Sequence, residues 1–120
     1  MKTVDTVENN VYRTSIFDND YKRFVKKFDS LVNEIRQLEI DLTAKPDMGI
    51  PLGSNLYKIR LACKSKGKGK SGAFRIITYL VDERIDGTDV YLITMYDKSE
   101  EKSINTSQLK KIISKVFSII

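Results

Sequence analysis

The chain of 120 residues has 41% hydrophobic side chains and a formal net charge of +5, which fits one compact domain spanning 1–120 and excludes a second core. No apolar run approaches the roughly 20 residues of a membrane-spanning helix, and the polar segment from Met1 to Asn10 lacks the apolar core of a signal peptide. The single cysteine cannot form an internal disulfide, which predicts a reducing, cytoplasmic compartment. The absence of histidine removes the commonest general base near neutral pH. With so few metal-binding side chains, no transition-metal site and no cofactor are expected.

The N-terminal half is predicted to form a short strand followed by helix. Val11 to Phe17 has strand-like composition, and Asp18 and Asp20 are candidate N-caps for the helical segment that follows. The sequence leaves open whether this segment is one helix or a helical hairpin divided at Asp29-Ser30. Apolar side chains recur at spacings of three and four, which is typical of one helix face. They are Tyr21, Phe24, Val25, Phe28, Leu31, Val32, Ile35, Leu38 and Leu42.

Three strands are predicted in the second half, at about Asn55–Lys64, Ala73–Val81 and Asp89–Tyr96, because β-branched and aromatic residues are frequent there and glycine-containing loops separate them. This spacing favours two consecutive antiparallel hairpins. A C-terminal amphipathic helix from Leu109 to Ile120 either closes the core or forms an interface. The predicted fold class is α+β: a small twisted antiparallel sheet of three main strands plus a short N-terminal strand, with an N-terminal helix or helical hairpin and a C-terminal helix.

Positive charge is concentrated in residues 51–80. Residues 1–50 hold 8 Lys and Arg against 9 Asp and Glu, and residues 81–120 hold 6 against 7. The middle segment holds seven cations and no acid, which creates a local positive field suited to a polyanion. A solvated lysine-rich loop is the alternative interpretation, although part of the charge lies in strand-like sequence. The seven cations are Lys58, Arg60, Lys64, Lys66, Lys68, Lys70 and Arg75.

Strand alternation predicts a cationic face on the sheet. A first hairpin centred near Gly67-Lys68 places Arg60 beside Arg75, and a second centred near Ile85-Asp86 places Arg75 beside Tyr96. Both registers are hypotheses, because a slip of one residue moves a side chain to the other face. The opposite face then supplies the core, with Tyr57, Ile59, Leu61, Ile76, Ile93 and Met95, and Cys63 is interpreted as a core residue.

Neighbouring cations without a carboxylate repel one another, and a phosphate group would relieve this repulsion. Arginine offers a planar, permanently charged fork for phosphate oxygens. A lysine among cations loses its proton more readily and is a candidate general acid or base in a chain without histidine. Tyr96 is a candidate for stacking on a base or exchanging a proton, although a half-buried strand tyrosine is the simpler interpretation of that residue alone.

Three segments resemble the RelE/HigB-type toxins of type II toxin–antitoxin systems. Residues 52–62 (LGSNLYKIRLA) resemble the LG…LYKIRLA strand of that family, and residues 65–77 (SKGKGKSGAFRII) resemble its SKGKGKSGGFRVI loop and strand. Residues 91–98 (YLITMYDK) resemble its last strand, YLLxIYxK. The resemblance runs in order from about Phe24 to Ile113, is specific through 52–100, and is absent before Asp18.

The resemblance implies a single RelE-like domain with helices packed on a small twisted antiparallel sheet. It implies a ribosome-dependent endoribonuclease (an mRNA interferase) that enters the ribosomal A site beside 16S rRNA, cuts mRNA without a metal and inhibits translation. In that chemistry the ribose 2′-hydroxyl attacks the adjacent phosphate, which leaves a cyclic phosphate and a 5′-hydroxyl. The resemblance also implies a cognate antitoxin, expected to be a helix-turn-helix protein, for which the last helix is a candidate contact.

The resemblance further implies roles for the cationic residues. Arg75 would stabilise the phosphorane, and Tyr96 would stack on or assist at the cleavage site. Lys64 and Lys66 are candidate catalytic lysines of the basic loop, with the choice of acid or base left open. Phosphate and RNA contacts are expected from Lys58, Arg60, Lys68, Lys70 and Lys98.

Two alternative functions remain at this point. The related ParE branch has the same fold but inhibits DNA gyrase, and the lysine-rich loop together with Arg75 and Tyr96 favours the nuclease branch. A non-catalytic RNA-binding module would need nothing beyond the basic face. Loss of cleavage with retained binding in Arg75→Ala distinguishes a nuclease from a binding module.

Overall fold

The computed structural model describes residues 7–67, 73–99 and 105–117. Three helices and five strands lie in these ranges, and they confirm the predicted α+β class. In chain order the elements are β1 (Asn10–Arg13), α1 (Ser15–Val25), α2 (Leu31–Ala44), β2 (Ile50–Gly53), β3 (Leu56–Ala62), a 3₁₀ turn (Lys64–Lys66), β4 (Ala73–Arg84), β5 (Gly87–Asp97) and α3 (Thr106–Val116).

The strands form one sheet in the order β1-β5-β4-β3-β2. Strands β2 to β5 pair as consecutive antiparallel neighbours, whereas β1 lies parallel to β5 at one edge. The sheet is therefore mixed and not wholly antiparallel as predicted. A parallel neighbour needs a long crossover connection in place of a tight turn, and the local sequence pattern does not reveal which strand such a crossover joins.

Strand β2 was not predicted, because Pro51 and Gly53 are typical of loops. The sheet accommodates Pro51, which lies opposite Tyr57, because β2 is an edge strand. Ser54 and Asn55 alone connect β2 to β3, with φ of 54° and 64°. These left-handed values are those of a type I′ hairpin turn.

The helical segment is a hairpin divided where Asp29-Ser30 suggested, since α1 and α2 are separate helices. Thr14, and not Asp18 or Asp20, caps α1: its side chain accepts a hydrogen bond from the N–H of Phe17 at 3.1 Å. The first strand therefore ends earlier than predicted, because an N-cap threonine completes the extended segment and begins the helix. None of the described helices is long and apolar enough to cross a membrane.

The carboxylate of Asp20 acts on the sheet and not on its own helix. It accepts hydrogen bonds from Thr94 Oγ1 at 2.9 Å and from the N–H of Met95 at 3.1 Å. Strand β1 pairs with β5 only as far as Leu92. Asp20 thus provides an acceptor for a β5 donor in the part of that strand where β1 no longer pairs with it.

Helices cover both faces of the sheet. The α1/α2 cluster, on one face, contains the predicted core residues Ile59, Ile76 and Met95 together with Cys63, which is 6% exposed. The α3 cluster, on the other face, has a smaller set of buried residues. These are Leu56, Ile77, Ile93, Tyr96 and Leu109.

Ile93 was predicted on the same face as Met95 but belongs to the α3 cluster. The reason is a bulge: Ile77 pairs with Thr94 and Thr78 with Leu92, so Ile93 is the extra residue of β5. An extra residue reverses the alternation of side chains beyond it. Nearer the hairpin tip, a second bulge between Val81 and Arg84 puts the extra residue on β4. The pairing on the two outer sides of these bulges therefore has the same register.

Candidate functional site

The row predicted across the sheet is present. Strand pairing places Arg60 opposite Arg75, and Arg75 opposite Tyr96. Directly opposed residues of antiparallel strands have Cα atoms only about 4.5–5.5 Å apart, so these side chains leave neighbouring points of one sheet face. We call Arg60, Arg75 and Tyr96 the cationic row.

The two arginines of the row lie close together without a neutralising carboxylate among the described residues. No ion pair joins Arg60 or Arg75 to a carboxylate within residues 7–67, 73–99 and 105–117. The Nη1 atom of Arg75 is buried and has no hydrogen-bond acceptor among those residues. A buried donor without an acceptor typically costs about 1–3 kcal/mol, and like charges on opposed strand positions are destabilising. An anion bound between the two guanidinium groups would relieve both costs.

Tyr96 is covered by α3. Its side chain is 5% exposed and packs in the α3 cluster with Ile77 and Leu109. The ring is therefore almost fully enclosed, and the stacking role implied by the resemblance stays a prediction. Tyr96 therefore lies between Arg75, which it pairs with in the sheet, and the apolar α3 cluster on the same face.

Three further predicted cations lie on β3, in the 3₁₀ turn and just after β5. Lys58 is half-buried on β3, opposite Ile77, and shares the face of Arg60 because residues two apart on a strand point the same way. Lys64 is exposed at the start of the 3₁₀ turn, and Lys98 is exposed immediately after β5. Within the described part of the chain, no carboxylate forms an ion pair with any of these three ammonium groups.

Lys66 is directed away from the row. Its ammonium is ion-paired with the carboxylate of Asp97, and both side chains are 11% exposed. The same ammonium lies 4.6 Å from the ring centroid of Phe74 and 5.5 Å from that of Phe28. Phe74 belongs to the α1/α2 cluster, so Lys66 and the row occupy opposite faces of the sheet.

The structure thus brings together most of the predicted site. Lys58 shares the face of the row and Lys98 directly follows the strand that carries Tyr96, whereas Lys64 lies in the 3₁₀ turn beside α2 and Lys66 lies on the opposite face. Lys68 and Lys70, which were predicted to contact phosphates, lie outside the described residues. In the described ranges no group of three or more His, Cys, Asp or Glu side chains is arranged to hold a metal ion.

Asp97 is a residue that the sequence analysis did not single out. Burial opposes ionisation of its carboxyl, but hydrogen bonds from Lys66 and Ser99 outweigh burial and hold the pKa of Asp97 below its ordinary value. Its position carried a usable signal: Asp97 alternates with Tyr96 and therefore faces the core. An aspartate at a core-facing position requires a cationic or hydrogen-bonding partner, and Lys66 is that partner.

A groove of about 770 Å³ runs beside the 3₁₀ turn, between α2 and the end of β3. Burial raises the pKa of the Cys63 thiol at its edge, which keeps the sulfur protonated and agrees with a packing role. The groove is lined by Ser30, Asn33, Glu34, Gln37, Ala62, Cys63, Lys64 and Gly67.

Comparison with known proteins identifies a shared fold. No protein-family model matches the chain. Among solved structures, the chain is similar to a mutant of the Escherichia coli toxin RelE in the free state, with a TM-score of 0.56 and 11% sequence identity. The match covers 92% of this chain and 100% of that chain. The fold of this protein is therefore RelE-like.

Proposed function

We propose that this chain is the toxin of a type II toxin–antitoxin system, and that it cleaves messenger RNA on the ribosome. The observation that carries the proposal is the Arg60–Arg75 pair on adjacent strands, in which a buried Nη1 donor of Arg75 lacks an acceptor among the described residues. Guanidinium forks match the oxygens of a phosphodiester. The RelE-like fold and the resemblance of residues 52–98 to RelE/HigB-type toxins support the same conclusion.

The proposed reaction needs no metal. The ribose 2′-oxygen attacks the adjacent phosphorus and expels the 5′-oxygen of the next nucleotide, which leaves a 2′,3′-cyclic phosphate and a 5′-hydroxyl. The phosphorane carries additional negative charge, and Arg75, with Arg60 beside it, lies where that charge would be stabilised. Lys64 is the preferred candidate for proton transfer, because its side chain is exposed and forms no ion pair among the described residues, whereas the ammonium of Lys66 is held by Asp97. Tyr96 would support Arg75 from the α3 side.

The proposed partners follow from the charge and the fold. Messenger RNA in the ribosomal A site and 16S rRNA are polyanions, and Lys58 and Lys98 would contact their phosphates without reading sequence.

A cognate antitoxin, expected to be a helix-turn-helix protein, would act in the cytoplasm with the toxin. Lys111 and Lys115, two of the three exposed lysines of α3, allow a test of whether α3 contacts the antitoxin. Changing both to glutamate should weaken antitoxin binding, and unchanged affinity would remove α3 from that interface.

The decisive experiment is induction of the chain in a bacterial host, with mapping of mRNA 5′ ends. New 5′-hydroxyl ends within translated frames are expected for the wild type and should be lost in Arg75→Ala. Arg36→Ala, which removes an exposed arginine of α2, controls for net charge and should cleave normally. Growth arrest without new ends would point to the gyrase-inhibiting branch. RNA binding without either effect would point to a binding module.

A further inference from the structure

The start of the 3₁₀ turn is tied to α2. The side chain of Glu34 accepts a hydrogen bond from the N–H of Lys64 at 2.8 Å. The Oγ atom of Ser30 accepts one from the N–H of Ser65 at 2.9 Å, and Ser65 Oγ in turn accepts from the N–H of Ser30 at 2.8 Å. These bonds fix the backbone from which the Lys64 side chain projects.

The end of the same turn is tied to β5. Asp97 uses Oδ2 for Lys66 and Oδ1 for Ser99, whose N–H and Oγ both donate at 3.0 Å. Both carboxylate oxygens are thus occupied, and the ammonium of Lys66 lies over the ring of Phe74. An ion pair between side chains that are each 11% exposed is screened less by salt than a surface pair.

This second anchor is adjacent in sequence to the cationic row. Asp97 follows Tyr96, Phe74 precedes Arg75, and Phe74 lies directly opposite Asp97 in the sheet. The ion pair therefore lies on the reverse side of the sheet from the row, one residue along each strand.

We infer that Asp97 is a positioning residue: by holding Lys66, it fixes the end of the 3₁₀ turn and with it the position of Lys64 at the start of that turn. The inference deepens the proposed function and rests on it for the role of Lys64. Lys66 is accordingly part of the scaffold and does not exchange protons with RNA. Asp97 touches no reacting atom.

Backbone hydrogen exchange tests the anchor without reference to activity. In Asp97→Asn, the amides of Lys64 and Ser65 should exchange roughly tenfold faster, while amides of the β3–β5 sheet change less than about twofold. Lys66→Met, which keeps the apolar stem over the Phe74 ring, should give the same local acceleration. Asp86→Asn is the matched control, because Asp86 pairs with Arg84 at the far end of the same hairpin. Unchanged exchange at the turn, or uniform acceleration of the whole sheet, would overturn the inference.

Cleavage kinetics on mRNA-programmed ribosomes test the consequence. Asp97→Asn should lower the cleavage rate at saturating toxin by roughly tenfold, with ribosome affinity nearly unchanged. Because Asp97 acts through Lys64, adding Lys64→Ala to Asp97→Asn should lower the cleavage rate further by less than about threefold. The swapped pair, Asp97→Lys with Lys66→Asp, should recover both exchange and rate. Additive losses would assign Asp97 a role independent of Lys64 and refute the positioning step. If the wild type does not cleave, the proposed function fails, while the exchange measurements still decide whether Asp97 holds the turn.

Discussion

Replacement of Arg60 by glutamine should stabilise the protein while weakening its binding to RNA. Two unit charges about 6 Å apart repel by about 0.7 kcal/mol in bulk water and about 2.8 kcal/mol at an effective dielectric constant of 20. Arg60 is exposed, and Arg75 is half-buried, so the lower part of this range applies. Glutamine keeps a polar side chain at the strand position and removes the repulsion. We expect the free energy of unfolding to rise by about 0.5–1 kcal/mol.

Thermal and urea unfolding at two salt concentrations measure this effect. For a chain of 120 residues, a gain of 1 kcal/mol raises the melting temperature by about 3–5 °C, so Arg60→Gln should raise it by about 2–4 °C in low salt. The gain should shrink in about 1 M salt, where the screening length falls to about 3 Å. Arg36→Gln, an exposed substitution of the same kind on α2, should change stability by no more than about 0.5 kcal/mol.

The same variant must lose RNA affinity for the reasoning to hold. Removal of one cation that contacts phosphate lowers the affinity for RNA. It also makes the slope of log affinity against log salt concentration shallower by about one unit. A destabilised Arg60→Gln, or a stabilisation that is the same at both salt concentrations, would show that the two arginines do not repel. In that case the charge argument for an anion site at the row would be wrong.

Three other changes probe the scaffold of the site. Leu109→Ala, at a fully buried position of α3, should cost about 2–5 kcal/mol in urea unfolding. Gly87→Ala should cost about 1–3 kcal/mol and expose the N-terminal segment to proteolysis, because its Cβ would lie 2.0 Å from the carbonyl oxygen of Glu8. Asp97→Asn should flatten the acid limb of the stability curve. The folded pKa of Asp97 lies below its ordinary 3.8, so its contribution is complete above that value and disappears as pH falls through the folded pKa. An acid limb identical to that of the wild type would show that the Asp97 carboxylate contributes no such stability.

The register of the row could be predicted from sequence because glycine-containing loops mark the centre of both hairpins. Arg60 and Arg75 are symmetrical about Gly67-Lys68, and the two strands pair without interruption. Arg75 and Tyr96 were also correctly paired, but for a less general reason: a bulge on β5 is offset by one on β4 nearer the hairpin tip. Local composition does not indicate bulges, and the same omission put Ile93 on the wrong face.

The features that were not predicted depend on contacts between distant parts of the chain. The edge position of β2 makes Pro51 acceptable, and the crossover of β1 makes the sheet mixed. Lys66 resembles every other lysine of the basic loop in sequence. Its separate role depends on a carboxylate 31 residues away, which only the folded sheet brings to it. The resemblance therefore made Lys66 a candidate catalytic lysine at a position where the structure has a partly buried ion pair.

The α3 face of the sheet changes from apolar to cationic along its strands, so one face combines packing against α3 with a cluster of positive charge. At one end Tyr79 lies opposite Tyr91, and the ring of Phe117 from α3 packs against both at 5.5 and 4.7 Å. At the other end lie Arg60 and Arg75, which form no ion pair with a carboxylate of the described residues. The α1/α2 cluster supplies a continuous apolar core on the opposite face, so the α3 face need not be apolar along its whole length. Repulsion within the row is tolerated because the strands that carry it are fixed from behind, and this rigidity keeps the guanidinium groups arranged for an anion before one binds.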